Sequence, residues 1–251
     1  LGGKEIELRL TGVIGPAVCH VCQAVNPETG PLAVAMIIDM DQAACFTVNP
    51  FTAYGMFNIA LQYESKAIIQ NAAGSQVATL MRKMAYDKGI EVIDIVRKQE
   101  TANMLFDQGA KNVIVETNEN FAEELKNITS KLCPTVAYDA VGGSLSGIMF
   151  NSLSPDSELV VYGGLSGKSI SGIDVMDVIF DNKVISGFNL MDWKAELSED
   201  EFLRISNELQ DGIISGLYHT NIRGYSSLQD IAKGLRSYIT DMSGGKLLIK
   251  P

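Results

Sequence analysis

The sequence is poor in the residues that build metal sites. Only two of its 251 residues are histidines, and its four cysteines stand at positions 19, 22, 45 and 133. Cys19 and Cys22 form the one close pair, which suits half of a zinc site or a redox pair. Because no second pair follows at close spacing, we expect reduced thiols and no bound metal.

Basic residues and long apolar segments are also scarce. Twenty Lys and Arg against thirty Asp and Glu give a formal net charge of −10, which argues against a nucleic-acid partner. No run of 18 apolar residues is present, so we expect no membrane span. Without a secretory signal segment, a cytoplasmic location is expected. The chain begins at Leu1 and not at a methionine, and we expect it to be a fragment.

From residue 66 onward, apolar strands alternate with amphipathic helices. The second strand is nearly continuous in Ile and Val, which is typical of a parallel strand covered on both faces. Six strands with crossover helices predict an α/β, Rossmann-type doubly wound parallel sheet. The predicted strands are 66–71, 90–97, 112–116, 135–141, 158–162 and 183–190. The predicted helices among them are 52–63, 76–88, 99–108, 119–132, with Asn118 as its N-cap, 144–153 and 174–181.

The two ends of the chain differ from this alternation. Residues 1–50 contain four of the seven prolines and short apolar runs, which favour irregular β structure in a partial second domain. Residues 51–190 form the predicted sheet domain. Residues 191–251 contain two predicted helices, 198–217 and 226–241, and a terminal strand, 246–250.

The turn after the first strand is built from small residues that let a backbone approach a pyrophosphate. Helix 76–88 then begins, and its N-terminus offers free N–H groups and a positive dipole end. Small residues at a tight turn also serve packing alone, so the position of the turn in the six-strand pattern carries the prediction of a nucleotide site. The residues predicted to bind the cofactor here are Asn71, Ala72, Ala73, Gly74, Ser75, Gln76 and Val77.

Two adjacent cations, Arg97 and Lys98, end the second strand about twenty residues beyond that turn. A dinucleotide fold meets the adenosine ribose there. Cations oppose the dipole of the helix that follows, so a bound anion explains them better than a solvated helix start does. They favour NADP(H), with its ribose 2′-phosphate, over NAD(H).

Small residues also follow the fourth and fifth strands, at the edge where open α/β sheets bind ligands. Gly142, Tyr162, Gly163 and Gly164 are predicted to line the cofactor, although turn glycines alone would look the same. Thr52, at the start of a predicted helix, suits a donor to a phosphate or to the nicotinamide amide. A purely structural Thr52 is the alternative.

Several segments together resemble the medium-chain dehydrogenase/reductase superfamily, in its zinc-independent quinone oxidoreductase and enoyl reductase branch. The resemblance covers about residues 40–251. The segments are Asn49-Pro-Phe-Thr-Ala-Tyr-Gly-Met56, Gln70-Asn-Ala-Ala-Gly-Ser-Gln-Val77, Ile95-Val-Arg-Lys-Gln-Glu100, Tyr138-Asp-Ala-Val-Gly-Gly143 and Gly245-Lys-Leu-Leu-Ile-Lys-Pro251.

The resemblance implies a Rossmann cofactor domain joined to a GroES-like catalytic domain, to which the last strand returns. It implies the same cofactor contacts, with Thr52 near the nicotinamide, and a homodimer formed through the edge strand at 183–190. Two departures stand out. Gln76 and Ala78 replace glycines that are usual in relatives, and only 48 residues precede the Asn-Pro-x-Thr motif. Most of the substrate pocket and any catalytic side chain are therefore not assigned.

These observations predict an NADPH-dependent oxidoreductase that reduces a small electrophile, a quinone or an activated alkene such as an enone, by direct hydride transfer. The altered phosphate loop keeps a second hypothesis open, a non-catalytic NADP(H)-binding redox sensor or scaffold. A zinc-dependent alcohol dehydrogenase is a third, weaker hypothesis, since its pattern of zinc ligands is not seen.

Overall fold

The computed structural model describes residues 38–240 and 244–250. The predictions made for Cys19, Cys22 and the β structure before residue 38 lie outside these ranges. The chain divides into two compact units, one formed by Leu1–Thr52 together with Met191–Pro251 and the other by Ala53–Leu190. None of the described helices is long and apolar enough to cross a membrane.

Six short parallel strands form the centre of the Ala53–Leu190 unit. Their spatial order is β3-β2-β1-β4-β5-β6, and every neighbouring pair is parallel. The doubly wound sheet predicted from the sequence is thereby confirmed. Because the order reverses between β1 and β4, the crevice at their carboxyl ends is the expected ligand site. The strands are β1 (Ala67–Gln70), β2 (Glu91–Val96), β3 (Asn112–Val115), β4 (Val136–Asp139), β5 (Glu158–Val161) and β6 (Val184–Gly187).

Ten helices lie in the described residues. Two of them, the third and fourth, end at glycines that take a left-handed conformation, Gly89 (φ 70°) and Gly109 (φ 88°), a common helix terminator. The helices are α1 (Met40–Ala44), α2 (Asn49–Gln62), α3 (Gln76–Asp87), α4 (Gln99–Asp107), α5 (Phe121–Leu132), α6 (Ser144–Asn151), α7 (Val175–Phe180), α8 (Leu190–Glu196), α9 (Glu199–Ile214) and α10 (Ile231–Thr240).

The sheet is covered on both faces, as its apolar strands require. Every residue of β1 and β4 is buried, and so are the last five residues of β2. One apolar cluster joins the sheet to α5 and α6 through side chains such as Ile95, Leu125 and Phe150. This rigid core fixes the loops at the carboxyl ends of the strands.

The other unit contains a small two-stranded parallel sheet, β7 (Ile222–Ser227) and β8 (Lys246–Lys250). Helix α9 begins with a capping box, in which the Ser198 hydroxyl accepts from the backbone N–H of Glu201 and the Glu201 carboxylate accepts from that of Ser198. The buried Gln42 side chain donates to the Thr220 carbonyl at 2.9 Å and accepts from its N–H at 2.8 Å. The side-chain amide of Gln42 thus satisfies both the backbone carbonyl and the backbone N–H of Thr220.

Some predictions of local structure were wrong. Asn118 is not an N-cap, because its carbonyl accepts from Phe121 N–H in a turn and α5 begins two residues later than predicted. Strand β7 occupies the start of the predicted helix 226–241, which is confirmed only from Ile231. Helices α1 and α8 were not predicted. The strand predicted at 183–190 is limited to the four residues of β6.

Candidate functional site

The loop between β1 and α3 combines a sharp turn with a capped helix start. Ala72 takes the left-handed conformation (φ 45°), which is a position that favours glycine. Ser75 is the N-cap of α3, and its hydroxyl accepts from Ala78 N–H at 3.2 Å. The Ala73 N–H donates to the Ile95 carbonyl of β2. The loop is therefore held to the sheet, with the N-terminus of α3 at its end.

A buried ion pair between α3 and β2 holds this loop in place. Arg82 Nε lies 2.6 Å from the Asp94 carboxylate, and the Arg82 guanidinium also donates to the Ala73 carbonyl at 2.8 Å. Gln70 completes the cluster by donating to Asp94 at 2.6 Å and to the Ala78 carbonyl at 3.1 Å. Strand β1, the loop, helix α3 and strand β2 are thus linked by buried side chains.

A second buried network joins the loop to the end of β4. Asn71 donates to Asp139 Oδ1 at 2.6 Å and accepts from Ala140 N–H at 2.7 Å. The same Asp139 carboxylate accepts from the backbone N–H groups of Val141 and Gly142 and from the Ser146 hydroxyl. Asn71 was predicted to bind the cofactor. Its side-chain amide is buried and makes these internal hydrogen bonds, so Asn71 supports the crevice by joining its two sides.

The glycines at the ends of β4 and β5 permit a close approach of backbone segments. Gly142 has φ 78°, and a Cβ at Gly163 would lie 2.8 Å from the Ala140 carbonyl oxygen. Gly164, by contrast, has open space where a Cβ would stand. The crevice wall after β5 therefore requires glycine at one position of the pair and not at the other.

The Tyr162 side chain links this wall to the phosphate loop. Its backbone N–H donates to the Asp139 carbonyl at 2.9 Å, and its phenol hydroxyl is hydrogen-bonded to the Ser75 hydroxyl. Burial raises the pKa of Tyr162 well above that of a free tyrosine, and the hydrogen bond to Ser75 opposes the shift. The phenol is consequently protonated near neutral pH. Residues after β1, β4 and β5 thus meet at one place.

Arg97 and Lys98 follow β2 and are exposed to solvent. Lys98 precedes α4 without capping it through its side chain. Burial raises the pKa of the nearby Glu116 carboxyl, while the charge of Arg97 opposes that rise. The two cations therefore stand at the carboxyl edge of the sheet, beside a half-buried carboxyl group that follows β3.

Thr52 lies in the other compact unit, where it is buried in the first turn of α2. Its hydroxyl donates to the Val48 carbonyl at 2.8 Å. The Ala53–Leu190 unit contains every other residue predicted to bind the cofactor. In the described part of the chain, no three His, Cys, Asp or Glu side chains are grouped so that they could hold a metal ion.

Three supporting residues were missed by sequence reasoning: Arg82, Asp94 and Asp139. Signals for them existed. Asp94 is a carboxylate between Ile93 and Ile95 in the interior of an apolar strand, and Arg82 follows apolar Leu80 and Met81 on a helix. A buried charge needs a partner, so one acid and one base on adjacent buried elements point to each other.

The sheet order and the crevice define a doubly wound α/β fold of the dinucleotide-binding type. Residues 77–205, just over half of the chain, match the family described as zinc-binding dehydrogenase. The chain belongs to this family, within the medium-chain dehydrogenase/reductase superfamily that its motifs resemble.

Two curated relatives are mitochondrial enoyl-[acyl-carrier-protein] reductases. The rat protein is 33% identical over 186 residues, which are 72% of this chain and 49% of that protein. The human protein is 29% identical over 233 residues, which are 90% of this chain and 62% of that protein. The chain thus spans about half to three-fifths of the length of these relatives.

Among solved structures, one similar protein is from Mesorhizobium loti and is described as a candidate NADPH:quinone reductase. It is 28% identical, with a TM-score of 0.80, and the match covers 85% of this chain and 61% of the other. Quinone reductases and enoyl reductases therefore both occur among the similar proteins, in agreement with the branch that the sequence motifs indicate.

Proposed function

We propose that the protein binds NADP(H) in the crevice at the carboxyl ends of β1, β2, β4 and β5. The pyrophosphate lies along the loop Ala72–Val77 at the N-terminus of α3, and the ribose 2′-phosphate lies against Arg97 and Lys98. The single observation that carries this proposal is the placement of two exposed cations after β2, at the same edge of the sheet as the capped start of α3.

The residues present fit such a ligand. A Cβ at Gly163 would meet the Ala140 backbone, and Gly142 has a conformation that side chains disfavour, so glycine at both positions lets the segments after β4 and β5 lie close together. The buried Arg82–Asp94 pair holds the loop in place before any ligand arrives. A preorganised loop loses little further entropy when it binds a phosphate.

The proposed reaction is reduction of a quinone or an activated alkene by direct hydride transfer. NADPH would supply the hydride from its nicotinamide ring. The chain contributes orientation and exclusion of water: glycines 142, 163 and 164 with Tyr162 hold the nicotinamide half, and Thr52 lies near its amide. The names of the relatives, enoyl reductase and NADPH:quinone reductase, support these two substrate classes. No catalytic side chain is assigned.

We further propose a role for each domain and a second copy of the chain as partner. Residues 51–190 bind the cofactor, and residues 1–50 with 191–251 belong to the catalytic domain. A second copy of the chain pairs along β6, the end strand of the sheet, whose Val184 and Ile185 are 47% and 39% exposed. The neighbouring Phe180 is 76% exposed, and such an apolar edge favours pairing. A cytoplasmic location stays a prediction.

Cofactor binding is tested by fluorescence titration of the chain with NADPH and NADH. Arg97→Ala and Lys98→Ala should each weaken NADPH binding by about 1–2 kcal/mol, roughly five- to thirty-fold, and leave NADH binding unchanged. Lys66→Ala is the matched control, since this exposed lysine precedes β1 at the opposite edge of the sheet. Equal affinity for NADPH and NADH, unaltered by either substitution, would refute the 2′-phosphate site.

The reaction is tested by following NADPH oxidation at 340 nm with trans-2-enoyl thioesters, enones and quinones. Turnover with one of these classes supports the reductase and selects its substrate class. Tight NADPH binding without oxidation by any of them supports the alternative, a non-catalytic sensor or scaffold. The observation that favours this alternative is the loop itself, where Ala72 takes a left-handed conformation and Gln76 and Ala78 replace glycines.

A further inference from the structure

The chain segment that follows β5 folds back over the end of β4. Two backbone hydrogen bonds fix it there. Ser166 N–H donates to the Val141 carbonyl at 2.9 Å, and further along the segment Ser171 N–H donates to the Gly143 carbonyl at 3.1 Å. Lys168 lies between these two points, and its own N–H donates to the Ser166 hydroxyl at 3.2 Å. The backbone of Lys168 is therefore held at the carboxyl end of β4.

The glycine pair after β4 leaves room for the Lys168 side chain. Gly142 and Gly143 both take left-handed conformations, with φ 78° and 77°. A Cβ on Gly142 would stand 3.1 Å from the Lys168 carbonyl oxygen. One on Gly143 would stand 3.6 Å from Lys168 Cβ and 3.9 Å from its Cδ. The aliphatic part of the lysine thus lies across the Gly143 backbone, and only one methylene separates Cδ from the ammonium.

The Lys168 ammonium has no counter-charge in contact with it. Within residues 38–240 and 244–250 it makes no ion pair and no hydrogen bond. Asp139, the carboxylate at the end of β4, is fully buried and accepts from Asn71, Ser146 and two backbone N–H groups. The first turn of α6 contains no acidic residue. The crevice thus has an anchored, solvent-exposed cation at this edge.

We propose that Lys168 is a further binding residue of the crevice and donates to a phosphate group of a ligand bound there. This inference rests on the proposed function. Two ligands can bring the phosphate to this place: the cofactor, through its pyrophosphate, or a thioester substrate, through a phosphate on its carrier group. Lysine to phosphate is a charge-assisted hydrogen bond, and a side chain packed along its length loses less entropy when it binds. Arg97 and Lys98 are not involved, because β1 separates β2 from β4.

The test compares wild type with Lys168→Met, which removes the charge, and Lys168→Arg, which keeps it. Isothermal titration calorimetry measures the binding of NADPH, of 2′-phospho-ADP-ribose, which has the pyrophosphate but no nicotinamide, and of 2′-AMP, which has no pyrophosphate. With the chain saturated with NADP⁺, it then measures crotonyl-CoA and crotonyl pantetheine, which carries no phosphate. Lys131→Met removes an exposed cation in the last turn of α5 and is the matched control, with no affinity changed.

The two sources of phosphate give different results. If the cofactor supplies it, Lys168→Met weakens NADPH and 2′-phospho-ADP-ribose by about five- to ten-fold and leaves 2′-AMP unchanged. If the substrate supplies it, the same variant weakens crotonyl-CoA by about that factor and leaves crotonyl pantetheine and the cofactor probes unchanged. In both cases Lys168→Arg should stay within about two-fold of wild type.

Unchanged affinities of Lys168→Met for every phosphate-bearing ligand would overturn the assignment. An equal loss for 2′-AMP or for crotonyl pantetheine would overturn it as well. So would a loss in Lys168→Arg as large as that in Lys168→Met, since packing on Gly143 and not charge would then be responsible. Failure of the proposed function is a different result: wild type then binds neither NADPH nor 2′-phospho-ADP-ribose.

Discussion

The ammonium of Lys194 lies 4.1 Å from the centre of the Phe51 ring and donates to the Thr47 carbonyl at 2.9 Å. Phe51 stacks in turn on Phe202, with ring centres 5.4 Å apart. Burial lowers the pKa of Lys194 from 10.5 to about 8. The Lys194 ammonium thus lies over an aromatic ring, but its burial disfavours the charged form.

The unfolding free energy should respond to the titration of Lys194. Because its pKa is lower in the folded chain, the unfolded chain retains the proton between about pH 8 and 10.5, where the folded chain has lost it. Raising the pH through this window therefore favours the folded state at this residue. Relative to Lys194→Met, wild type should gain stability from pH 8 to 10 in urea unfolding. Lys233→Met, at an exposed site of the same unit, is the control, and a pH-independent difference would contradict the prediction.

The buried ion pair of Arg82 and Asp94 should be costly to break. Arg82→Met leaves the Asp94 carboxylate buried without its cation and should lower the unfolding free energy by about 3–5 kcal/mol, measured by urea denaturation. Because Arg82 also holds the Ala73 carbonyl, NADPH affinity should fall too. Arg204→Met breaks an exposed pair with Glu208 and should cost less than about 1 kcal/mol. Similar losses for the two variants would show that the buried pair is not special.

The two glycines after β5 should differ sharply in their tolerance of alanine. Gly163→Ala places a Cβ against the Ala140 backbone, which cannot move without disturbing β4, and should cost about 1–3 kcal/mol of stability. Gly164→Ala meets no atom and should change stability by no more than about 0.5 kcal/mol. Thermal and urea unfolding measure both. Equal effects would contradict the close approach at Gly163.

The edge strand β6 should decide the oligomeric state. Ile185→Asp places a charge in the proposed interface and should convert a dimer into a monomer, as measured by light scattering after size exclusion. Leu228→Asp changes an equally apolar side chain, 60% exposed, in the other compact unit and should leave the dimer intact. A monomeric wild type, or a dimeric Ile185→Asp, would refute pairing through β6.

The sequence predicts the parts of the fold that depend on local patterns. Nearly continuous apolar runs identify strands buried on both faces, and Gly89 and Gly109 mark helix ends because they supply left-handed conformations. Strand β7 was missed because Ile222–Ser227 contains a glycine and two serines and pairs with β8 through an irregular register. No local pattern identifies such a strand.

The candidate site also has features that the sequence predicts and contacts that it does not. The small residues of the phosphate loop and the two cations after β2 are visible in the sequence because each group lies at a predicted strand end. The contacts beneath them are not: Asn71 and Asp139 are 68 positions apart, and only the pairing of β1 with β4 brings them together. Tyr162 and Ser75 likewise meet only once β5 has joined the sheet.

The double hydrogen bond between Gln42 and Thr220 has a consequence for the order in which the chain acquires structure. It ties together positions separated by 178 residues, with the whole Ala53–Leu190 unit between them in sequence. During synthesis, Gln42 leaves the ribosome early. Its partner Thr220 follows only after all six strands of the intervening unit have been synthesised. The nucleotide-binding fold is thus available before the unit built from the two ends of the chain can close.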